Sequence, residues 1–323
     1  MSSVAPATPW LTVIMPIYRG EQWLEASLQS LVAEADEGIQ LLVIDSSPDT
    51  ASAEIVSRFA GRLNLRLFEN SRLPSWQTKT NLGVELAAAE HICWLHHDDL
   101  WLPGRAAEVR RWIAGAPQAA LHIAPSRIID RDGRTLGTWR CPFGIEGEIS
   151  RTQFVERLLV QNFISAPAPV YRKQAWVACG GIDESLWYTG DWDIWLKLAA
   201  QGPVHHHRKA LSAFRIHGAS LTATGSGDIN EFERQMHVVL ERHLPGFAAA
   251  APIEAAKVRR ASLASTRINC ALAAASHGRW SALIPAATGL LALGPAGLRR
   301  YGRDSRIFDR LIPRLRAKLA RSF

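Results

Sequence analysis

Apolar positions along this chain fall into short strand-length runs separated by stretches with helical spacing. Residues 11–17, 39–45, 63–69 and the run around Ile92 read as strands, and residues 23–33, 51–60 and 77–88 between them read as helices. That alternation predicts an α/β fold in which a mostly parallel sheet is covered by helices on both faces. In such sheets ligands bind outside the carboxyl ends of the strands. Three polar turns fall there, at Pro16 to Tyr18, at Asp45, and at His96 to Asp99, so the pattern places them in one crevice.

After Ala124 the pattern is mixed. Residues 127–130 and 135–139 flank an Asp-Gly turn and predict a hairpin. Helices are expected over 151–160 and 191–200, extended chain over 168–172 and 210–216, and a further helix over 228–244 that Pro245-Gly246 should stop. The alanine-rich, proline-containing stretch 248–256 is the expected boundary. It divides a domain at 1–247, with a nucleotide part at about 10–124 and an acceptor part at about 125–247, from a helical region at 248–323. Within that region residues 268–275, a His277-Gly278-Arg279 turn and 280–293 predict a helical hairpin. Residues 280–298 are apolar enough to raise a membrane span, but Pro285 and Gly289 interrupt them and Gly294-Pro295 ends them early, so a packed helix is expected.

Charge adds a second division. The formal net charge is +7, and residues 299–323 hold nine arginines or lysines against two aspartates, so the body is close to neutral. A nucleic-acid binder would spread basic charge over a groove-facing surface, so no nucleic-acid partner is expected. The tail alternates arginines with Ile307, Phe308, Leu311, Ile312, Leu315 and Leu319, a basic amphipathic pattern. It reads either as a helix lying on an anionic membrane surface or as one docked on the body. Cysteines 93, 141, 179 and 270 form no CxxC pair, which fits a reducing compartment, and the N-terminus lacks the basic and apolar regions of a secretory signal. A cytoplasmic placement follows, with the inner face of the membrane as the surface the tail would meet.

Asp98 and Asp99 end the strand-like run and precede Pro103-Gly104. Adjacent carboxylates there hold a divalent cation against a phosphate, or cap the next helix. His205, His206 and His207 alternate faces in a strand and cannot all bind one ion. Trp187, Trp192 and Trp195 are core by default, with one or two free to stack on a sugar ring.

Six segments, in order, carry a resemblance: Val13-Ile-Met-Pro16-Ile-Tyr18-Arg-Gly20, Leu42-Val-Ile-Asp45-Ser-Ser-Pro-Asp49, Asn81-Leu-Gly83, Leu95-His-His-Asp98-Asp99, the pair Gly180-Gly-Ile-Asp183-Glu184 and Gly190-Asp191-Trp192-Asp193, and Arg215-Ile-His217-Gly-Ala-Ser220. Over about residues 10–222 the chain resembles the family 2 inverting glycosyltransferases, with their GT-A Rossmann-like fold. The resemblance implies an enzyme that moves a sugar from a nucleoside-diphosphate sugar to the hydroxyl of a carbohydrate or lipid-linked acceptor, in bacterial surface polysaccharide or glycolipid synthesis. It implies a nucleotide site at Pro16, Tyr18, Asp45, Asn81 and Asp98, and a manganese or magnesium ion on Asp98 and His217. Asp191 would be the general base or a helix cap, and Asp99, Asp183 and Trp192 would lie behind the metal or on the acceptor side. Ser46, Thr80, His96 and Gly190 depart from the family pattern at positions usually held by Asp, Arg, Asp and Glu. An inactive nucleotide-binding or scaffold module of the same fold is the alternative.

Overall fold

The computed structural model describes residues 8–320 and 322; the N-terminal segment read for a signal lies outside the described residues, as do Arg321 and Phe323 of the basic tail. Twelve strands are described: β1 Leu11–Ile17, β2 Ile39–Asp45, β3 Asn64–Glu69, β4 His91–Trp94, β5 Leu100–Trp101, β6 Leu121–Ile123, β7 Ser126–Ile129, β8 Thr135–Trp139, β9 Gly147–Ile149, β10 Val170–Arg172, β11 Val204–His206 and β12 Ser212–Arg215. Helices α1 Leu24–Val32, α2 Ala51–Ser57, α3 Trp76–Leu86, α4 Arg105–Gly115, α5 Arg151–Leu158, α6 Lys173–Ala178, α7 Gly190–Leu198 and α8 Leu221–Gly225 alternate with them. Five more, α9 Ile229–Ala250, α10 Pro252–Ser276, α11 Leu283–Leu291, α12 Gly294–Ser305 and α13 Ile307–Leu319, complete the described chain.

The large sheet has the order β3-β2-β1-β4-β10-β6-β11-β9, parallel from β3 through β4, with β10 entering antiparallel. Every residue of β1 and β2 is buried, as expected of central strands covered on both faces. Alternate side chains go to opposite sides: Ile14, Leu42 and Ile44 join Trp94 beneath α3, while Val13, Met15, Leu41 and Val43 join Leu24, Leu28 and Val109 of α1 and α4. Gly83 lets α3 lie directly on β1, since a Cβ there would come within 2.5 Å of Ile14 Cγ2. The smaller sheet, β5-β12-β7-β8, includes the expected hairpin as β7 and β8.

The sequence places a stop at Pro245-Gly246, but α9 runs through Pro245 to Ala250. Burial of Leu244 and Phe247 on either side of the proline holds the helix against the lost hydrogen bond. The break comes at Ala251, before Pro252 at the first turn of α10, so no spacer occupies 248–256. Ala255, Val258, Ala261 and Cys270 of α10 enter the same apolar cluster as Phe154, Leu158 and Val239.

No single helix among the described residues is long and apolar enough to cross a membrane; the segment from Trp280 to Leu291 and α12 meet at a bend of 116°. The tail is docked. Tyr301 and Ile307 join the main cluster, and Ala317 packs with Ile128 and Leu136 of the small sheet and with Ile216 just after it, where Arg316 donates to the Leu136 carbonyl. Phe308, Ile312, Leu315 and Leu319 remain exposed on the outer face of α13.

Candidate active site

The turn after β1 and the end of β2 form the first wall. Pro16 pairs with Ile44 inside the sheet, and Tyr18 stands 53% exposed beyond it, which excludes a core aromatic. Asp45 is buried as the last residue of β2, and its Oδ1 accepts the Ser47 N–H at 2.7 Å. Beneath them lies Lys79, a residue the motifs did not single out. Its Nζ donates to the Ile17 carbonyl at 2.6 Å and to Ser46 Oγ at 2.8 Å. Burial pulls the ammonium down to about 8, against the attraction of Asp45. Lys79 and Gly83 are one helical turn apart and therefore share a face of α3. The glycine that marks the face lying on β1 was the available signal for the lysine.

Asp98 and Asp99 follow β4, and the residue at the start of α4 is Gly104, so neither carboxylate caps that helix. Asp98 Oδ2 and His217 Nε2 lie 3.0 Å apart, although the residues are separated by more than a hundred positions. Burial opposes the Asp98 charge, but the His217 hydrogen bond and the neighbouring His97 and His96 outweigh it and hold the carboxyl low. Asp99 goes the other way: burial, then the adjacent Asp98 charge, push it well above the ordinary carboxylate range. Its Oδ1 accepts the Arg215 N–H at 2.9 Å, while Oδ2 has no partner among the described residues.

His96, Asp98 and Asp99 bring one ligand atom each within 4.8 Å of one another, and His96 Nε2 is buried without a partner among the described residues. Burial lowers the His96 imidazole to about 4, leaving it neutral and available. Two unpartnered ligand atoms beside a low carboxyl and an imidazole fit a divalent cation of borderline hardness. The histidine that replaces the family's first carboxylate thus offers a ligand atom in its place. Arg215 fixes the loop by donating through Nε to the Asp98 carbonyl and through Nη1 to the carbonyls of Asp130 and Arg131.

Asp191 lies in the first turn of α7, behind the boundary residue Thr189. Its carboxylate accepts from Asn162 Nδ2 at 2.9 Å and from the Trp192 N–H at 2.7 Å. Burial outweighs both bonds and raises the acid to about 7. Trp76 joins this side to the carboxylate cluster: its ring packs edge-on to His96 at 5.6 Å, and one of its carbons lies 3.5 Å from where a Gly190 Cβ would be. The same Cβ would sit 3.2 Å from Ile182, so the glycine standing in place of the family's glutamate fits a tightly filled position.

Three expected site residues are spent on the chain itself. The Asn81 amide takes the Ile182 N–H and donates to the Ile182 carbonyl and to Glu184, tying α3 to the 181–184 loop. Asp183 accepts from Ser185 and pairs with Arg242 at 2.8 Å; although burial opposes its charge, those bonds hold it down to about 2. Trp192 is buried, with its indole N–H on the Leu158 carbonyl at 2.8 Å, and presents no face to a sugar. Of the histidine run, His207 stacks on Trp112 at 4.0 Å and meets buried His122 at 3.1 Å.

This arrangement has counterparts. A TarS fragment, residues 1–349, of S. aureus in complex with UDP-GlcNAc superposes with a TM-score of 0.59 at 15% identity, covering 95% of this chain and 92% of that one. A longer TarS chain, of which this chain spans 53%, gives 0.55 at 16% identity and covers 85% of this chain. The mannosyltransferase PcManGT of Pyrobaculum calidifontis, in complex with GDP-Man and Mn2+, gives 0.56 at 17% identity, covering 97% of this chain and 89% of that one. An uncharacterised glycosyltransferase of Rickettsia typhi is 23% identical over 230 residues, 70% of each chain. The profile of the family described as Glycosyl transferase family 2 matches residues 12–174. A mostly parallel sheet with these turns at its carboxyl edge is the GT-A fold, and the chain belongs to glycosyl transferase family 2.

Proposed function

We propose that this glycosyltransferase is an inverting enzyme that takes its sugar from a nucleoside-diphosphate donor. The observation that carries the reading is a half-buried aspartate, Asp191, raised to about 7, with Trp76 lying between the adjoining Gly190 and the His96 of a cluster suited to a divalent cation. Asp98 and His217 would hold manganese or magnesium, with His96 in reach, and the ion would offset the charge of the departing diphosphate. UDP-GlcNAc in TarS and GDP-Man with Mn2+ in PcManGT support a donor and metal of this kind.

The remaining work falls to the chain. Tyr18, exposed at the sheet edge, stacks on the base, and Asp45 takes a nucleoside hydroxyl or ring N–H. Trp76 packs against the sugar and excludes water on that side. Asp191 accepts the proton of the attacking hydroxyl; a base whose acid sits near 7 is half ionised at neutral pH and matched to that transfer. Attack from the Asp191 side, opposite the diphosphate, inverts the anomeric centre.

The exposed Phe308, Ile312, Leu315 and Leu319 beside tail arginines support peripheral contact with the anionic inner face of a bacterial membrane, and with it a cytoplasmic place in surface polysaccharide or glycolipid assembly. The test is a screen of nucleotide sugars with manganese for thermal stabilisation, followed by turnover of the one that binds. Binding without hydrolysis or transfer would return the chain to an inactive nucleotide-binding module.

A further inference from the structure

Several tail arginines are paired with carboxylates of the chain. Arg300 pairs with Glu156 and Glu254, Arg303 with Asp304, and Arg306 with Asp309. Arg310 and Arg314, one turn apart on α13, have no carboxylate within ion-pair distance among the described residues. Among the described residues the Arg310 guanidinium reaches only Asn269 Oδ1, at 3.4 Å, and its Nε has no partner; Arg314 donates Nη1 to the Arg310 carbonyl at 2.9 Å. Burial pulls both guanidinium groups down, as it does those of Arg105, Arg157 and Arg215. Those three have carboxylates opposing the shift, whereas Arg310 has only the phenols of Tyr188 and Tyr301, and Arg314 only Tyr188.

Holding two like charges together, with no counter-ion among the described residues, costs stability unless something outside the chain supplies one. The pair lies close to Asp191: Asn269, which Arg310 reaches, bonds Gln161, and the next residue, Asn162, donates to the Asp191 carboxylate. Tyr188 precedes Asp191 by three residues, and the charges of Arg310, Asp191 and Arg314 all act on its hydroxyl. Farther along the same helix, Ala317 packs on Ile216, the neighbour of His217. Asn269 is itself fixed, its Nδ2 donating to Gln161 Oε1 at 2.6 Å, so the one contact to Arg310 is a positioned one.

We propose that Arg310 and Arg314 form an anion subsite on the acceptor side of the Asp191 cleft, and that the acceptor carries a phosphate group near the hydroxyl that receives the sugar. Two guanidinium forks at i and i+4 match a group that offers several oxygens, such as a phosphomonoester, phosphodiester or diphosphate. The acceptor assignment rests on Asp191 as the base. The donor's own diphosphate is the other source of the same chemistry, and the experiment separates the two.

The full-length chain is titrated by calorimetry with glycerol 3-phosphate, first alone and then with saturating manganese and UDP or GDP, whichever the unaltered protein binds. Glycerol 3-phosphate should bind the nucleotide-loaded protein. The double variant Arg310→Gln, Arg314→Gln should lose about tenfold or more of that affinity, while nucleotide affinity changes by less than about twofold. The pair Arg310→Lys, Arg314→Lys should lose less, and it keeps the test valid if the glutamine pair fails to fold. Phosphate binding that is absent, or unchanged in both variants, would overturn the subsite. A nucleotide affinity that falls with the arginines would move them to the donor and overturn the acceptor assignment. Failure of UDP and GDP to bind with manganese would undo the sugar-transfer reading, while the titration without nucleotide still decides whether the arginines bind phosphate.

Discussion

Lys79 and Arg314 are both cations drawn away from water, one on α3 and one on α13, and their surroundings differ. Lys79 has the Ile17 carbonyl, Ser46 Oγ and the charge of Asp45. Arg314 has one backbone carbonyl, a phenol and a second arginine. A buried charge answered from within the chain belongs to the architecture; one left unanswered keeps its binding capacity for something that arrives later. The cation beneath the β1 and β2 turns is thus answered by the chain, and the pair on α13 is not, among the described residues.

The largest expected effect is that of Asp98→Ala. Removing the low carboxylate should abolish metal-dependent binding of a nucleoside diphosphate in calorimetry, and His217→Ala should weaken it less; unchanged affinity in Asp98→Ala would leave the pocket without its anchor. Next, Asp191→Asn should lower transfer by about 10²-fold or more with nucleotide affinity nearly intact. In the unaltered enzyme transfer should rise with pH through about 7 as Asp191 loses its proton, and that rise should vanish in the asparagine variant.

The contrast itself is sharpened by melting curves. Lys79→Met leaves the Ile17 carbonyl and Ser46 Oγ without their donor and should cost about 1–3 kcal/mol, seen as a lower Tm. Arg314→Gln removes an unanswered charge and should leave the Tm equal or higher. Equal losses in the two variants would dissolve the distinction.

The smallest expected effect lies outside both sites. Burial holds His122 at about 3 and His207 at about 4, with His205 and His91 adding like-charge repulsion and Glu108 opposing it at His207. The unfolded chain therefore takes up protons first, near the ordinary histidine value of about 6.5. Stability should be full above that pH and decline as the pH falls toward 4. Denaturant midpoints at successive pH values should show the decline, and His207→Phe, which keeps a ring on Trp112, should flatten it.

The sheet-edge turns after β1, β2 and β4 were legible because their signals are local: a strand, a turn and a helix within thirty residues. β1 and β2 occupy the ranges expected for them, and the Asp45 and Asp98 turns do lie at the sheet edge. The rest of the expected site depends on partners distant in sequence. Asn81, Asp183 and Trp192 have the residue types of a site, and only the arrival of Ile182, Arg242 and Leu158 shows that they are occupied. Conversely, Lys79 and Trp76 bore no motif, and their roles appear once α3 is set on β1 and the 190–191 turn comes beside it. Pro245 deceived for the same reason, since its local penalty is set against the burial of Phe247 that no window of sequence displays.

β10 has a kinetic consequence. This three-residue strand lies between β4, which it meets at Ile92 and His91, and β6, which it meets at Leu121 and His122. Until residues 170–172 are in place, β3-β2-β1-β4 and β6-β11-β9 share no hydrogen-bonded edge, so the sheet closes through a contact some eighty positions apart in sequence. Closure of that kind is slow. The β1 to β4 block is expected to gain amide protection early in refolding, and the β6 to β11 block only when β10 arrives, with both blocks consolidating in a single late phase.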